Sequence, residues 1–386
     1  MKRIYLDNNA TTPVHPEVID AMLPFFREDF GNPSSTHWAG VNVRQAINRA
    51  REQVAALVNC SPSEVVFTSG GSESVNTAIK GIAAARRKKG SHIISTMVEH
   101  PAVFNSVRHL EREGFRSTFL TVDGDGMLDA GELRAAIDDD TILISAMYAN
   151  NETGVIFPVR EIGELAAERG VSIVCDTVQA VGKVPISFRD LSVDVFTVSG
   201  HKLHGPKGIG ALIVRSGLRI LPLIHGGPQE KNRRAGTENA PGIVGLGKAC
   251  EMARLDLEEE GLRIRSLRDM LERGILETIP DVKVNGHPGK RLPNTLNISF
   301  RGVYVELLLA EFDRNGVAVS AGSACSAESR EVSRVLTAMG LDGATARSTI
   351  RFSLGRENCR EDIDYLLAFL PPVIQRLRSE RNARLT

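Results

Sequence analysis

Short apolar runs rich in β-branched residues alternate with helical patterns along most of the chain, and this alternation restricts the fold more than any other feature. Such runs, joined by helices, predict parallel strands with crossover connections. One helical pattern repeats apolar residues from Val43 to Leu57. The strand candidates are residues 65–67, 92–95, 118–120, 141–144, 172–175, 193–198 and 211–214. We therefore expect an α/β fold whose large domain contains a mainly parallel, seven-stranded sheet.

The pattern changes after Pro241. The following residues, 242–279, are rich in Leu, Glu and Arg and predict one long helix. The elements expected beyond it are strands at residues 295–300, 317–319 and 348–353 and a final helix with one apolar face. These elements predict a smaller α+β domain. We place the large domain at residues 14–258 and the small domain at residues 1–13 and 259–386, with a loop at about 320–333.

Charge and cysteine usage exclude several classes of protein. The 386 residues include 47 Lys and Arg and 47 Asp and Glu, so the formal net charge is zero, whereas nucleic-acid binding needs a positive field. The N-terminus lacks the apolar segment of a signal peptide, and no run approaches the roughly 20 apolar residues that span a bilayer. The five cysteines form no CxxC pair and no zinc-ligand pattern. We expect a cytoplasmic protein with no nucleic-acid partner, no membrane partner and no resident metal.

A small-residue stretch, Thr-Ser-Gly-Gly-Ser-Glu-Ser at residues 68–74, follows a strand candidate and precedes a helical pattern. Glycine allows the backbone to approach a ligand, and a helix N-terminus offers free N–H groups and a partial positive charge to a phosphate. Gly71 supplies the backbone and Ser72 a hydroxyl donor. Taken alone, the stretch is more simply explained as a capping turn. It matches neither the P-loop nor the dinucleotide fingerprint, so a phosphate bound here need not belong to a nucleotide.

Asp176 and Lys202 each follow a strand candidate. Parallel sheets bind ligands at the carboxyl ends of their strands, so both side chains are expected at one edge. A carboxylate that keeps a pyridine nitrogen protonated, and a lysine that forms a Schiff base, are the groups that pyridoxal 5'-phosphate requires. Separately, Asp176 is explained as a helix cap and Lys202 as a surface charge. Combined with the phosphate-binding stretch, they predict pyridoxal phosphate as the cofactor.

Three polar side chains near these positions are further candidates. Ser199 and His201 shortly precede Lys202 in the sequence, so both can lie near the cofactor and hydrogen-bond its phosphate. His100, just before Pro101, can stack on a planar ring or carry a proton, although an ordinary strand-end histidine is equally consistent with its position.

Cys325 lies in a segment of small residues, 320–327, which predicts a mobile loop that exposes the thiol. An accessible thiol suits a nucleophile, whereas Cys175, inside an apolar strand candidate, is expected to be inert. The other cysteines, Cys60, Cys250 and Cys359, have no such surroundings.

With these motifs the chain resembles the group I cysteine desulfurases, pyridoxal-phosphate enzymes of the class V aminotransferase family that serve iron–sulfur cluster assembly, and particularly their nitrogen-fixation branch. The shared motifs are residues 5–12, 31–35, 68–73, 99–103, 150–154, 176–183, 200–202, 234–239, 322–325 and 351–353. The resemblance covers the chain almost end to end. It implies fold type I of the pyridoxal-phosphate-dependent transferases and a homodimer.

The resemblance also implies a role for each site residue. Lys202 carries the cofactor, Asp176 pairs with the pyridine nitrogen and His100 stacks on the ring. The further implied contacts are Asn151 and Gln179 to the ring substituents, and Gly71, Ser72, Ser199, His201 and the partner subunit's Thr237 to the phosphate. Arg351, assisted near Asn9, grips the substrate carboxylate, which a bidentate guanidinium suits.

The implied reaction converts L-cysteine to L-alanine. Lys202 removes the Cα proton of the substrate, and the Cys325 thiolate attacks the substrate sulfur. Cys325 becomes a persulfide, a reversible modification of cysteine, and the sulfur passes to an iron–sulfur scaffold protein or another acceptor. The sequence leaves open whether that acceptor serves nitrogenase, general iron–sulfur assembly or tRNA thiolation. It also leaves open whether Cys325 is a transient ligand of a cluster shared with a scaffold.

Two alternatives remain at this stage. One is a lyase that acts mainly on selenocysteine, or an enzyme of the same fold for another small-amino-acid transformation. The other is a non-catalytic scaffold whose cofactor is structural. A scaffold needs neither the Schiff-base Lys202 nor the loop thiol of Cys325.

The chain departs from the usual family pattern at Ser72, which replaces threonine and keeps the hydroxyl. It also departs after the nucleophile, where Arg330 and Val332 replace leucine and proline.

Overall fold

The computed structural model describes residues 3–322 and 332–385. Its strands are β1 (Ile4–Tyr5), β2 (Val65–Thr68), β3 (His92–Thr96), β4 (Arg116–Leu120), β5 (Thr141–Met147), β6 (Ser172–Asp176), β7 (Val195–Ser199), β8 (Gly210–Val214), β9 (Val282–Val284), β10 (Thr295–Phe300), β11 (Val317–Ala318) and β12 (Thr349–Ser353). Its helices are α1 (Pro16–Met22), α2 (Pro24–Arg27), α3 (Trp38–Val58), α4 (Gly71–Arg86), α5 (Pro101–Arg112), α6 (Ala130–Ala136), α7 (Val159–Glu168), α8 (Gln229–Asn232), α9 (Ala240–Thr278), α10 (Val305–Arg314), α11 (Arg334–Ala338), α12 (Gly343–Ala346) and α13 (Arg360–Leu385).

Seven strands form one sheet in the order β2-β8-β7-β6-β5-β3-β4. The pairs from β4 across to β7 are parallel, and β8 runs antiparallel to both of its neighbours. The carboxyl ends of β3, β5, β6 and β7 therefore lie at the same edge. The predicted α/β fold with a mainly parallel, seven-stranded sheet is confirmed.

Both faces of this sheet are covered, because successive strand residues point to opposite sides. Val66, Ile93 and Val174 pack on one face against the apolar sides of α4 and α5. On the other face, residues such as Phe67 and Ile94 pack against α3, α7 and the start of α9. Burial on both sides explains why the strand candidates are continuous apolar runs instead of alternating ones.

A second, antiparallel sheet has the order β12-β10-β9. It packs with α10 and α13 into a separate core that includes Phe312 and Phe352. The long helix α9 matches the predicted element, and it contributes Leu246 to the first core and Leu271 to the second. Two cores joined by one helix agree with two lobes, while the domain bounds proposed above stay a prediction.

The N-terminal segment links the two sheets. Strand β1 pairs in parallel with β11, and Asp7 forms a bridge with Ser353 at the end of β12. The Asn9 backbone N–H donates to the Ser353 hydroxyl at 2.9 Å. Three residues later, the backbone N–H of Thr12 donates to the His201 carbonyl at 2.9 Å. The segment therefore crosses the carboxyl edge of the large sheet.

Candidate active site

A cavity of about 250 Å³ lies at this carboxyl edge. It collects most of the side chains that the sequence singles out, from seven separate parts of the chain. The predicted residues that line it are Asn9, Gly71, Ser72, His100, Asn151, Asp176, Gln179, Ser199, His201, Lys202 and Arg351. Since cofactor and substrate must share one space, this convergence makes the cavity the candidate active site.

Asp176 is the last residue of β6 and is 9% exposed. Its Oδ1 accepts hydrogen bonds from the Thr197 hydroxyl at 2.8 Å and from the Val178 backbone N–H at 3.0 Å. Thr197 lies on the neighbouring strand β7, so the sheet itself holds the carboxylate in place. A carboxylate fixed in this way can accept a hydrogen bond from a further donor without moving.

Lys202 ends a 3₁₀ turn, Gly200–Lys202, that directly follows β7. Its Nζ donates to the backbone carbonyls of Asn9 and of Ala10, the latter at 2.7 Å. Both acceptors belong to the N-terminal segment that crosses the sheet edge. The lysine amine is therefore aimed into the cavity by residues about 190 positions away in the chain.

The stretch predicted to bind phosphate forms the N-terminus of α4. Gly70 has φ 148°, which an L-residue rarely adopts, and the helix begins at Gly71. A Cβ added to Gly71 would lie 2.9 Å from Val178 Cγ2, so the backbone here comes closer to its neighbour than a side chain allows. Ser72 is exposed at the mouth of the cavity. Free N–H groups at the start of a 16-residue helix suit an anion.

His201 and His100 both line the cavity as neutral imidazoles. Burial, followed by the charge of Lys202, lowers the pKa of His201 to about 4. Burial is also the main cause that lowers the pKa of His100. The Nδ1 of His100 accepts the Ala102 backbone N–H at 3.1 Å, so the proton of the neutral ring resides on Nε2.

Arg351 lies on β12 and is 1% exposed. Its Nη2 donates to Asp7 Oδ1 at 2.7 Å and its Nη1 to the Asn151 carbonyl at 2.9 Å. The third nitrogen, Nε, is buried without a hydrogen-bond partner among the described residues. A buried guanidinium N–H lacking an acceptor is costly, and a bound carboxylate would satisfy it.

Among the predicted residues that the structure describes, Thr237 is the one that does not line this cavity. Thr237 is exposed and lines a different cavity, of about 190 Å³, beside Ser69 and Arg234. Its predicted contact to the phosphate of a second subunit stays a prediction. Cys325 lies outside the described residues.

The remaining cysteines behave as buried or idle thiols. Cys60, Cys175 and Cys250 are free and buried, and burial raises the pKa of each thiol, to about 12 for Cys60 and Cys250. A thiol with a raised pKa is a poor nucleophile at neutral pH. Cys359 is half-buried and does not line the cavity.

Two ionisable side chains beside the cavity were missed from the sequence. Glu99 is 1% exposed, and burial, followed by the negative charge of Asp176, raises its pKa to about 8. Its Oε1 accepts the Met147 backbone N–H at 2.8 Å. Lys183 donates to the side chains of Asn9 and Gln179. Both lie inside motifs shared with the cysteine desulfurases, and this position is the sequence signal that could have identified them as site residues.

Comparison with known proteins places this geometry in a family. The profile of the family described as aminotransferase class-V matches residues 4–366. The chain belongs to the class-V aminotransferases. Members of this family depend on pyridoxal phosphate. No helix within the described ranges has the length and apolar character that crossing a membrane requires.

Individual relatives confirm the resemblance to the cysteine desulfurases. "Cysteine desulfurase 2" of Trichormus variabilis is 50% identical over 379 residues, which cover 98% of this chain and 95% of the relative. A solved structure titled "NifS-like protein" superposes with a TM-score of 0.92 at 38% identity, covering 97% of this chain and all of the other. Another, titled "SspA in complex with cysteine", has a TM-score of 0.82 at 38% identity and covers 92% and 99% of the two chains.

Proposed function

We propose that this protein is a pyridoxal-phosphate-dependent cysteine desulfurase. It converts L-cysteine to L-alanine and transfers the sulfur, as a persulfide on Cys325, to an acceptor for iron–sulfur cluster assembly. The observation that carries the proposal is the meeting of Asp176, Lys202 and Arg351 in one cavity of a chain that is 50% identical to a cysteine desulfurase.

The residues around the cavity fit pyridoxal phosphate. Gly71 has no side chain, so the backbone at the N-terminus of α4 can lie close to Val178 and still face the cavity. The N–H groups there can therefore accept contact with an anion such as a phosphate. Asp176 lies where a carboxylate can pair with the ring nitrogen, and Lys202 is the amine that would bind the aldehyde carbon. Ser72, Ser199 and His201 would hold the phosphate, with His100 on the ring face and Asn151 and Gln179 at its substituents. When bound, the cofactor supplies an electron sink for the substrate's Cα.

The substrate carboxylate is held by Arg351. Its buried Nε lacks a partner among the described residues, and its Nη atoms are already anchored by Asp7 and Asn151. The guanidinium is therefore immobilised before substrate arrives, which orients L-cysteine at little further entropic cost. Asn9 lies beside it and completes the carboxylate site.

Two side chains carry out proton transfer in the proposed reaction. With pyridoxal phosphate bound, the amine of Lys202 would take the proton from the substrate's Cα. The neutral His100, with its proton on Nε2, has the form that can donate or relay a proton in the cavity. These roles require no movement of the sheet that carries both residues.

Sulfur transfer is a nucleophilic displacement at the Sγ atom of the substrate. The Cys325 thiolate attacks the Sγ atom of the substrate, a sulfur–sulfur bond forms, and the Cβ–Sγ bond breaks. The electron pair of the broken bond stays with carbon and is protonated, so L-alanine leaves. Cys325 retains the extra sulfur as a persulfide, which an acceptor thiol then removes.

We also propose a homodimer that places Thr237 of one subunit beside the phosphate of the other. Support comes from Thr237, which does not line the candidate active site of its own chain, and from three exposed aromatic side chains. These are Phe26, Phe30 and Trp38, which are 63%, 74% and 73% exposed. The nature of the sulfur acceptor, a role in nitrogen fixation and a cytoplasmic location remain predictions from the sequence.

The nucleophile is tested with Cys325→Ala. This variant should keep the visible absorption of bound pyridoxal phosphate but lose sulfide and alanine production from L-cysteine, because no thiol accepts the sulfur. Cys359→Ala is the matched control, since Cys359 does not line the candidate active site. Substantial sulfide release by Cys325→Ala would refute the assignment. Alanine formation by that variant from selenocysteine alone would favour a selenocysteine lyase.

A further inference from the structure

Lys183 lies behind the active-site cavity and has no role in the reaction described above. It follows Gln179 by four residues, after a turn in which Gly182 has φ 72°. Its side chain lines a second cavity, of about 80 Å³, that Lys202 also lines. Lys183 is therefore separated from the substrate by residues that themselves line the active site.

Two amide oxygens accept hydrogen bonds from the Lys183 amine. Its Nζ lies 2.7 Å from Gln179 Oε1 and 3.1 Å from Asn9 Oδ1. Asn9 is 1% exposed and Gln179 is 6% exposed, so neither amide can exchange these contacts for water freely. The two contacted side chains are the ones that the proposed function places at the substrate carboxylate and at the cofactor ring.

An amine at this position determines which way both amides face. Lys183 presents N–H groups, so a reversed amide would set its NH₂ group against another donor. With the oxygens facing Lys183, Gln179 Nε2 donates to the Asn9 backbone carbonyl at 3.0 Å. Asn9 Nδ2 donates to the Thr295 hydroxyl at 2.9 Å and to the Asn151 carbonyl at 3.2 Å. Asn294 Nδ2 also donates to Asn9 Oδ1, at 3.0 Å, and favours the same orientation of Asn9. Lys183 is the donor that contacts both amides and so couples their orientations.

The same network reaches the catalytic lysine. The Asn9 backbone carbonyl that accepts from Gln179 also accepts from Lys202 Nζ. A change in the Gln179 amide therefore changes the acceptor that aims Lys202 into the cavity. Lys183 is thus two hydrogen bonds from Lys202, through Gln179 and the Asn9 carbonyl.

The charge environment does not suit an ordinary ion pair. Within the described residues, Lys183 bonds to amide oxygens and no acidic side chain pairs with it. Burial, followed by the positive charges of Lys202 and Arg351, lowers the pKa of Lys183 well below its usual range.

We propose that Lys183 is a positioning residue of the active site, whose amine sets the orientation of the Asn9 and Gln179 amides and, through Asn9, the position of Lys202. The inference rests on the proposed function, because these orientations matter only when the cavity holds pyridoxal phosphate and L-cysteine. Lys183 touches neither ligand and acts through its two amide partners.

The test compares Lys183→Met, which keeps the length of the side chain and removes the donors, with Lys283→Met, which changes an exposed lysine on β9. Apo-proteins are titrated with pyridoxal phosphate, and the dissociation constant is read from the cofactor's absorption. Losing two hydrogen bonds should raise it about tenfold for Lys183→Met and leave it unchanged for Lys283→Met. The KM for L-cysteine should rise with it, while the melting temperature stays within a few degrees of wild type.

A double-variant cycle separates positioning from general packing. In a Gln179→Met background, Lys183→Met should weaken cofactor binding clearly less than in wild type, because one of its partners is already absent. If Lys183→Met does not fold, Lys183→Gln keeps an N–H donor and should show an intermediate loss of cofactor affinity.

Two results would overturn the proposal. One is a cofactor dissociation constant and a KM for Lys183→Met equal to those of Lys283→Met. The other is a loss of affinity that is the same with and without Gln179. Cofactor titration needs no turnover, so a wild-type protein that binds pyridoxal phosphate but releases no sulfide would refute the proposed function while leaving this measurement valid.

Discussion

Replacing Gly71 with alanine should weaken the binding of pyridoxal phosphate about tenfold while leaving the fold intact. A Cβ at residue 71 would lie 2.9 Å from Val178 Cγ2 and 3.6 Å from Ser199 Cβ. The first contact is closer than real Cβ atoms show, so either the start of α4 or Val178 must shift. Gly71, Val178 and Ser199 all line the cavity, and the shift therefore changes the shape of the phosphate site.

The expected loss of cofactor affinity follows from the cost of overpacking at residue 71, and the small effect on folding follows from the higher helix propensity of alanine. Overpacking in a well-packed site costs about 1–3 kcal/mol, and the lower end applies because Val178 can adjust its side chain. About 1.4 kcal/mol corresponds to a tenfold change in a dissociation constant. Alanine favours the helix over glycine by up to about 1 kcal/mol, which offsets much of the cost to folding. The loss should therefore appear in cofactor affinity far more than in the melting temperature.

Titration of the apo-protein with pyridoxal phosphate, followed by absorption, measures this loss. Gly124→Ala is the matched control, because a Cβ there meets no atom within 4 Å. The double variant Gly71→Ala/Val178→Ala removes the contacted methyl groups and should recover most of the affinity. Wild-type affinity in Gly71→Ala, or no recovery in the double variant, would refute the argument that α4 approaches Val178 to shape a phosphate site.

Two further predictions concern buried charges. Arg351→Lys should raise the KM for L-cysteine about tenfold or more, since one ammonium cannot hold Asp7, Asn151 and a carboxylate together; steady-state kinetics with an unchanged KM would contradict the clamp. Glu99 has a pKa raised to about 8, so the native state binds this proton more tightly than the unfolded chain, and the stabilisation falls as pH rises from about 4.5 to 8. Denaturant unfolding at several pH values should show Glu99→Gln gaining stability relative to wild type as pH rises through this window. A constant difference between the two proteins would exclude a titrating Glu99.

The strands and the residues that follow them could be predicted from sequence because they depend on local patterns. Apolar runs located β6 and β7, and parallel topology then implied that Asp176 and Lys202 share an edge. The same logic placed Gly71 at a helix N-terminus. These inferences need only the periodicity of each element and the rule that ligands bind at carboxyl ends.

Contacts between distant segments could not be predicted in the same way. Nothing in the local sequence shows that the carbonyls of residues 9 and 10 hold Lys202, or that Lys183 faces two amide oxygens. A lysine near the end of a turn has the same pattern whether it faces water or a buried amide. Such contacts depend on the packing of the two sheets, which hydrophobic periodicity does not encode.

The path of the N-terminal segment has a consequence for biosynthesis. Asn9 and Ala10 are synthesised long before the residues that fix their position, Ser353 and Arg351, and Arg351 lies 344 residues from its partner Asp7. Until β12 has been made, the segment that carries the two carbonyls lacks its contacts with Ser353 and Arg351. The full set of contacts that aims the Lys202 amine therefore forms only after β12 is available. Productive cofactor loading depends in this way on a strand synthesised more than 300 residues after the segment that it fixes.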